Sequence, residues 1–264
     1  MTDGVIEFDI AVSPQRGFAG AFFRSGDPRN REHFYIRPHQ SGNPDANQYN
    51  PVFNGLASWQ LYHGEGYGAP VEYRFNEWMH IKIAFSGLSA DIFVDSDMPS
   101  IRVRPLKRPV VPGMIGVDAS NLAPAHFANF EMSALPDDYS IAEKLGDSET
   151  PPPEIVWSWL VSDAFSSEAL EDSNRLKDEL KKDRQWTRLT ADRDDITNLA
   201  QVQGSTQEAN TAFARLVVNS DKKQTKGIRF GYSDSVAVFA NETLLYSGSN
   251  FYRSRDYRYL GTIG

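Results

Sequence analysis

Short runs that alternate apolar and polar residues, each closed by a turn signal, limit this chain to a β-sheet protein. The run WMHIKIAF is the strongest: Met79, Ile81, Ile83 and Phe85 point one way, His80 and Lys82 the other. A period of two is the signature of a strand with one face in a core. Ser86 and Gly87 open a tight turn, and ADIFVD returns with Ala90, Ile92 and Val94 on one face, which predicts a hairpin. Residues 4–12 alternate likewise, with Ile6, Phe8, Ile10 and Val12 opposite Glu7 and Asp9. FAGAFFR (18–24) is apolar on both faces up to Arg24, as an interior strand would be. HFYIRPH (33–39) reads as a strand that ends, or lies at an edge, near Pro38, which has no N–H to donate. Residues 58–63, 101–104, 114–118 and 126–132 add further short strands. Regular short strands separated by turns indicate a sandwich or jelly roll.

Composition narrows the partners. The net charge of −8 and the absence of a long basic run argue against nucleic acid or an anionic membrane surface as the main partner. No apolar run approaches the roughly 18 residues a membrane span needs. There is no cysteine, which excludes disulfides and thiolate metal sites without fixing the compartment. No signal or transit peptide is recognisable, because strand-like alternation begins almost at once. Opening on a strand suggests that an upstream strand and any export signal precede Met1.

Three segments are expected. Residues 1–135 form a first sandwich, and 136–154 form an acidic, proline-rich spacer ending in Pro151 to Pro153. Residues 155–264 form a second β-sandwich, expected to be incomplete at its C-terminal end. Within it, SSEALEDSNRLKDELKKDRQ is the one helical-looking stretch, either a short surface helix or an ordered loop. ITNLAQV, TAFARLVV, KGIRFGY, SVAVFANETLLYSG and RYLGTIG read as strand, with a hairpin turn at Ala240-Asn241-Glu242.

The stretch Glu32–Tyr62 is densest in groups that bind polar ligands. His33, Tyr35, Arg37 and His39 alternate, so a strand would project all four from one face. Arginine offers a planar donor fork, tyrosine a ring and a hydroxyl, histidine a donor or an acceptor. Beyond them lies a polar loop from Gln40 to Gly55 holding Asn43, Asp45, Asn47, Gln48, Tyr49, Asn50 and Asn54. A second segment presents Gln60 and Tyr62 on one face and Trp59 with Leu61 on the other, the latter face being the better core. This combination suits a polar ring such as a sugar, or is an ordinary edge strand with incidental polar residues. In the second segment of the chain, Arg253, Arg255, Asp256 and Arg258 form a basic and aromatic cluster, either a site for an acidic sugar or a solvated face.

Residues 3–135 resemble the concanavalin A-like lectin/glucanase superfamily, and within it bacterial laminin-G-like and keto-disaccharide-hydrolase-like domains. The resemblance is carried by DGVIEFDIAV, FAGAFFRSGD, FYIRPHQSG, NGLASWQLY, EWMHIKIAFSGLSADIFVD and HFANFEM. More weakly, RLVVNSDKKQTKGIRFGYSDSVAVFANETLLYSG resembles a galactose-binding-like jelly roll. The implied fold is all-β, two antiparallel jelly-roll sandwiches in tandem, and the implied partner is a carbohydrate, with an extracellular or periplasmic setting. Arg24, Tyr35, Arg37, His39, Gln48, Tyr49, Asn54, Gln60 and Tyr62 are the expected ligand-binding residues.

Two alternatives follow from the same resemblance. Retaining glucanases of this fold carry E-x-D-x-x-E or E-x-D-x-E on one strand. Here Glu7 and Asp9 are present, but Ala11 or Val12 stands where the third carboxylate would be. A glycoside hydrolase would draw its carboxylates from Glu7, Asp9 or Glu32, with Arg24 and Arg37 orienting substrate. A laminin-G-like adhesion module would instead present a large exposed apolar patch. No cofactor is expected, although Asp95 and Asp97 are either ligands for a structural calcium ion or ordinary hairpin-end aspartates.

Overall fold

The computed structural model describes residues 1–139, 141, 155–170, 174–250 and the backbone of 261–263. The chain divides into two compact units, Met1–Asp147 and Ser148–Gly264. Most of the expected spacer, and the cluster of Arg253, Arg255, Asp256 and Arg258, lie outside the described residues.

The first unit is built from β1 (Gly4–Val12), β2 (Ala19–Asp27), β3 (Asn30–Ile36), β4 (Asn47–Tyr49), β5 (Val52–Phe53), β6 (Leu56–Ala57), β7 (Gly68–Ala69), β8 (Met79–Ser86), β9 (Ser89–Val94), β10 (Ile101–Val103), β11 (Met114–Ala119) and β12 (Ala125–Ser133). One antiparallel sheet runs β10-β9-β8-β1-β12, and the other runs β11-β2-β3-β4-β7 with β5 and β6 branching from β3. The alternating residues pack between them. Ile6, Phe8 and Ile10 of β1 and Ile81, Ile83 and Phe85 of β8 meet Phe23, Phe34 and Ile36 of the second sheet, all essentially excluded from solvent. The Phe23 and Phe85 rings lie 4.6 Å apart and tie one sheet to the other. Full burial of each such side chain stabilises by about 1.5–3 kcal/mol.

The expected hairpin forms, with Ser86 opposite Ser89 across β8 and β9. Strand β3 stops at Ile36, and Pro38–Gln40 turn into a short 3-10 helix, as Pro38 requires. Two expectations fail here. Residues 58–62 are not a strand, because the N–H groups of Leu61 and Tyr62 both donate to the carbonyl of Ser58 and close a turn. The polar stretch from Gln40 to Gly55 is also not one loop. Ile36 pairs with Asn47, Tyr35 with Gln48 and Phe34 with Tyr49, so β4 joins the sheet. Asn54 and Gly55, with φ of 51° and 85°, then make the two-residue turn between β5 and β6.

In the second unit, β13 (Ser158–Ser162) lies between β14 (Trp186–Thr190) and β15 (Ala214–Arg215). β16 (Ile228–Phe230) pairs with β19 (Gly261–Ile263), and β17 (Asp234–Ala240) with β18 (Thr243–Asn250). Asn241 and Glu242 take positive φ and form the expected hairpin turn. The rings of Phe165 and Phe213 pack 4.6 Å apart, and Val161 and Leu189 are buried. The charged stretch yields one helical turn, α1 (Asp178–Lys181), after a 3-10 turn at Ser167–Leu170. Neither turn buries a residue, in keeping with a sequence too polar to hold an apolar stripe. ITNLAQV is not a strand, because the Asn198 side chain accepts from Ala200 N–H and starts the 3-10 turn Leu199–Gln201.

Candidate ligand-binding face

Because β3 alternates, Phe34 and Ile36 enter the core while His33 and Tyr35 stand on the outer face, followed by Arg37 just past the strand end. Neighbouring strands extend this face in register. Asp118 on β11 sits opposite Gly20 on β2, Gly20 opposite Tyr35, and Tyr35 opposite Gln48 on β4. Gly20 is irreplaceable in this row, since a Cβ there would lie 2.0 Å from the carbonyl oxygen of Phe34. Asp118 and His33 meet across β2, with Nε2 2.9 Å from Oδ1. The second Asp118 oxygen accepts from Arg31 at 3.1 Å. Burial raises the Asp118 pKa, but the His33 hydrogen bond and the Arg31 charge outweigh it and hold the carboxyl below its ordinary range.

Arg37 is the centre of the face. Its NH1 donates to Asp45 at 2.6 Å and its NH2 to the Tyr35 hydroxyl at 2.7 Å and to the Gln48 carbonyl oxygen. The guanidinium carbon lies 5.2, 5.9 and 5.9 Å from the ring centres of Tyr35, Phe18 and Trp59. Gln48 also donates from its amide nitrogen to the carbonyls of Trp59 and Tyr62, so it pins the 58–62 turn onto the sheet. Phe18 packs edge-on to both Tyr35 and His39, at 5.6 and 5.5 Å. Burial, together with the charges of Arg16 and Arg37, lowers the His39 pKa and keeps the imidazole neutral near pH 7.

The face therefore has two levels. Tyr35, Arg37 and Gln48 come together, but buried, as the floor. His39, Trp59, Phe18 and His33 are half-buried and form the rim, and Gln60 is half-buried in the adjoining 58–62 turn. His39 reaches the face from the 3-10 turn rather than from the strand. Trp59, expected in the core, belongs to the rim because the 58–62 segment is a turn. Phe18 and Asp118 were not singled out by sequence; the signal for Phe18 was its alternation with Gly20 and Phe22 along the start of β2.

Four expected ligand residues are displaced. Tyr49 and Tyr62 are fully buried. Tyr49 faces the core because it pairs with Phe34. Arg24 is also buried, its Nε donating to the Thr2 carbonyl at 2.7 Å and its NH2 to Asp3, so it anchors the chain's first residues. Asn54 serves the β5–β6 turn, where its N–H donates to Asn30 and its carbonyl accepts from Arg29.

The carboxylates expected of a hydrolase are separated in the same way. Glu32 is inaccessible, accepting from the Tyr49 hydroxyl and from Arg108 N–H, and burial pushes its pKa up. Glu7 and Asp9 lie on the outer face of the other sheet, both against His80, with Nδ1 2.9 Å from Asp9 and Nε2 3.5 Å from Glu7. Hydrogen bonds from His80 and Asn129 lower the Asp9 pKa. Asp95 is ion-paired with Arg74 at 2.6 Å, and Asp97 is exposed. Among the described residues, no three His, Asp or Glu side chains converge as metal ligands.

No protein-family model and no curated protein matches the chain. Several solved structures are similar in chain path. A carbohydrate binding module, CBM66 from Bacillus subtilis, superposes with a TM-score of 0.40 and 22% identity, covering 50% of this chain and 75% of its own. A galectin from Caenorhabditis elegans gives 0.36 and 11%, covering 49% and 82%. A GH43 protein from Bacillus licheniformis gives 0.37 and 11%, covering 51% and 28%.

Proposed function

We propose that the first unit is a carbohydrate-recognition module that binds through the rim of the β2–β3–β4 face. The observation that carries this reading is the fixed Arg37 guanidinium with Phe18, Tyr35 and Trp59 within 6 Å of it. Sugars present apolar C–H faces and polar edges, and half-buried rings beside carboxylate acceptors held in place by arginine match both. The floor is preorganised, so little entropy is lost when ligand arrives. Carbohydrate is also the ligand class named for the CBM66 module, although the reading stands on this chain's own geometry.

Hydrolysis is less well served. It needs a carboxyl group that keeps its proton near neutrality and touches the glycosidic oxygen. Asp9 is shifted the wrong way, and Glu32 is shifted the right way but buried. One observation favours a protein partner instead: β12 is an edge strand carrying exposed Phe130 and Met132.

The test is a glycan array probed with the full chain and with Trp59→Ala. Carbohydrate recognition predicts discrete hits that weaken at least about tenfold in the variant. An empty array, or hits indifferent to Trp59, would remove the reading.

A further inference from the structure

The proposed face also says what kind of glycan it takes, an inference that rests on the carbohydrate reading. We infer that the ligand is a neutral oligosaccharide lying along β3 between Asp118 and Asp45, with its hydroxyls donating to both carboxylates.

Charge is the first reason. An acidic sugar needs a cation with donors to spare, and the cations within this face are committed. Arg37 is 7% exposed at its side chain and gives its outer nitrogens to Asp45, Tyr35 and Gln48. Arg31 gives its outer nitrogens to Asp118 and the Pro28 carbonyl, and its Nε is buried. Burial and the charges of Arg16 and Arg37 disfavour a cationic His39. The Arg37–Asp45 and Arg31–Asp118 pairs each carry no net charge, so between them they offer a uronate or sulfate no unpaired cation.

Acceptors are the second reason. Asp45 and Asp118 are each 30% exposed, the polar groups of these pairs that solvent reaches most. A carboxylate has about four lone-pair sites. Asp118 uses one contact on each oxygen, to His33 and Arg31, and retains capacity to accept from a hydroxyl. A hydroxyl can serve such a carboxylate, whereas a second carboxylate is repelled.

Extent is the third. Asp118 reaches the face at His33 and Asp45 at Arg37, positions about 13 Å apart along an extended chain. That exceeds one pyranose ring, and the rings of His33, Tyr35, Phe18 and His39 follow one another at 5.5–5.6 Å along it. Arg16, exposed beyond His39, marks where an acidic chain would have to bind instead.

The experiment is calorimetric titration of the full chain with two sets of hexasaccharides: neutral (gluco-, xylo- and manno-) and acidic (galacturono- and mannurono-). The expected result is binding confined to neutral probes and nearly constant between low and moderate salt. Asp118→Asn and Asp45→Asn, which keep side-chain size, should each weaken it by about tenfold or more. Tighter binding of an acidic probe, lost in Arg16→Ala, would overturn the neutral assignment while leaving carbohydrate recognition in place. Neutral binding unaffected by either Asn variant would overturn the roles of the carboxylates. No binding of any probe would sink both this inference and the reading beneath it. Unchanged thermal melting of the variants separates these outcomes from misfolding.

Discussion

At the scale of single residues, the two outer faces of the first unit hold opposite kinds of titrating group. His80 is half-exposed between Asp9 and Glu7; burial lowers its pKa, but hydrogen bonds to the two carboxylates prevail and raise it. A raised histidine pKa stabilises the fold fully below the unfolded value near 6.5, and that contribution is lost as pH rises through the folded value. An NMR titration should therefore place the His80 midpoint above 6.5, and Asp9→Asn should move it down. His39 should titrate below 6.5 in the same experiment, as its burial and its arginine neighbours require. A His80 midpoint at or below that of His39 would contradict this placement of charge. Much of the site was legible at this scale: Tyr35, Arg37, His39 and Gln48 do meet. Exposure was not legible, because Arg37 and Tyr35 keep their outward direction and still become buried once Gln48 fastens the Trp59 turn over them.

At the scale of elements, hydrogen-bonded side chains substitute for regular pairing where the sheet ends. Glu32 on β3 joins Tyr49 on β4 to the segment after β10, since Arg108 N–H donates to Glu32 and Lys107 N–H to the Tyr49 hydroxyl. Glu32→Ala would leave a buried hydroxyl and a backbone N–H without their acceptor, a loss of about 2–4 kcal/mol measurable by urea unfolding. The raised pKa makes the folded state hold its proton longer than the unfolded chain. Stability therefore falls as pH rises from the unfolded value near 4.3 through the folded one, and Glu32→Gln should flatten that slope. Gly20→Ala should be costlier than strand glycine replacement ordinarily is, because its Cβ meets backbone rather than a side chain that can turn aside. The strands with clean alternation, β1, β8 and β9, could be read from the sequence. β4 could not, because Asn47, Gln48 and Tyr49 have polar side chains and are nevertheless buried. The Asn54-Gly55 pair was the overlooked signal that the chain turned back there. Likewise, the turn at 58–62 arises from Gln48, eleven residues from Trp59, a contact no local pattern reports.

At the scale of the whole molecule, the proposed recognition belongs to one of two compact units. Each has its own buried set, Ile6 to Leu106 in the first and Val161 to Ile196 in the second. A fragment of residues 1–147 should fold cooperatively and bind the same hexasaccharide with a Kd within about twofold of the full chain. The long antiparallel pairings of the first unit, such as β1 with β12, predict folding in the millisecond-to-second range. The most direct test of the central claim is backbone and side-chain chemical-shift mapping during titration with the tightest-binding neutral hexasaccharide. Binding at the β3 face predicts shifts at Phe18, His33, His39, Trp59 and Gln60, with Glu7, Asp9 and His80 unmoved. Shifts centred on Glu7, Asp9 and His80, with the β3 face silent, would contradict it.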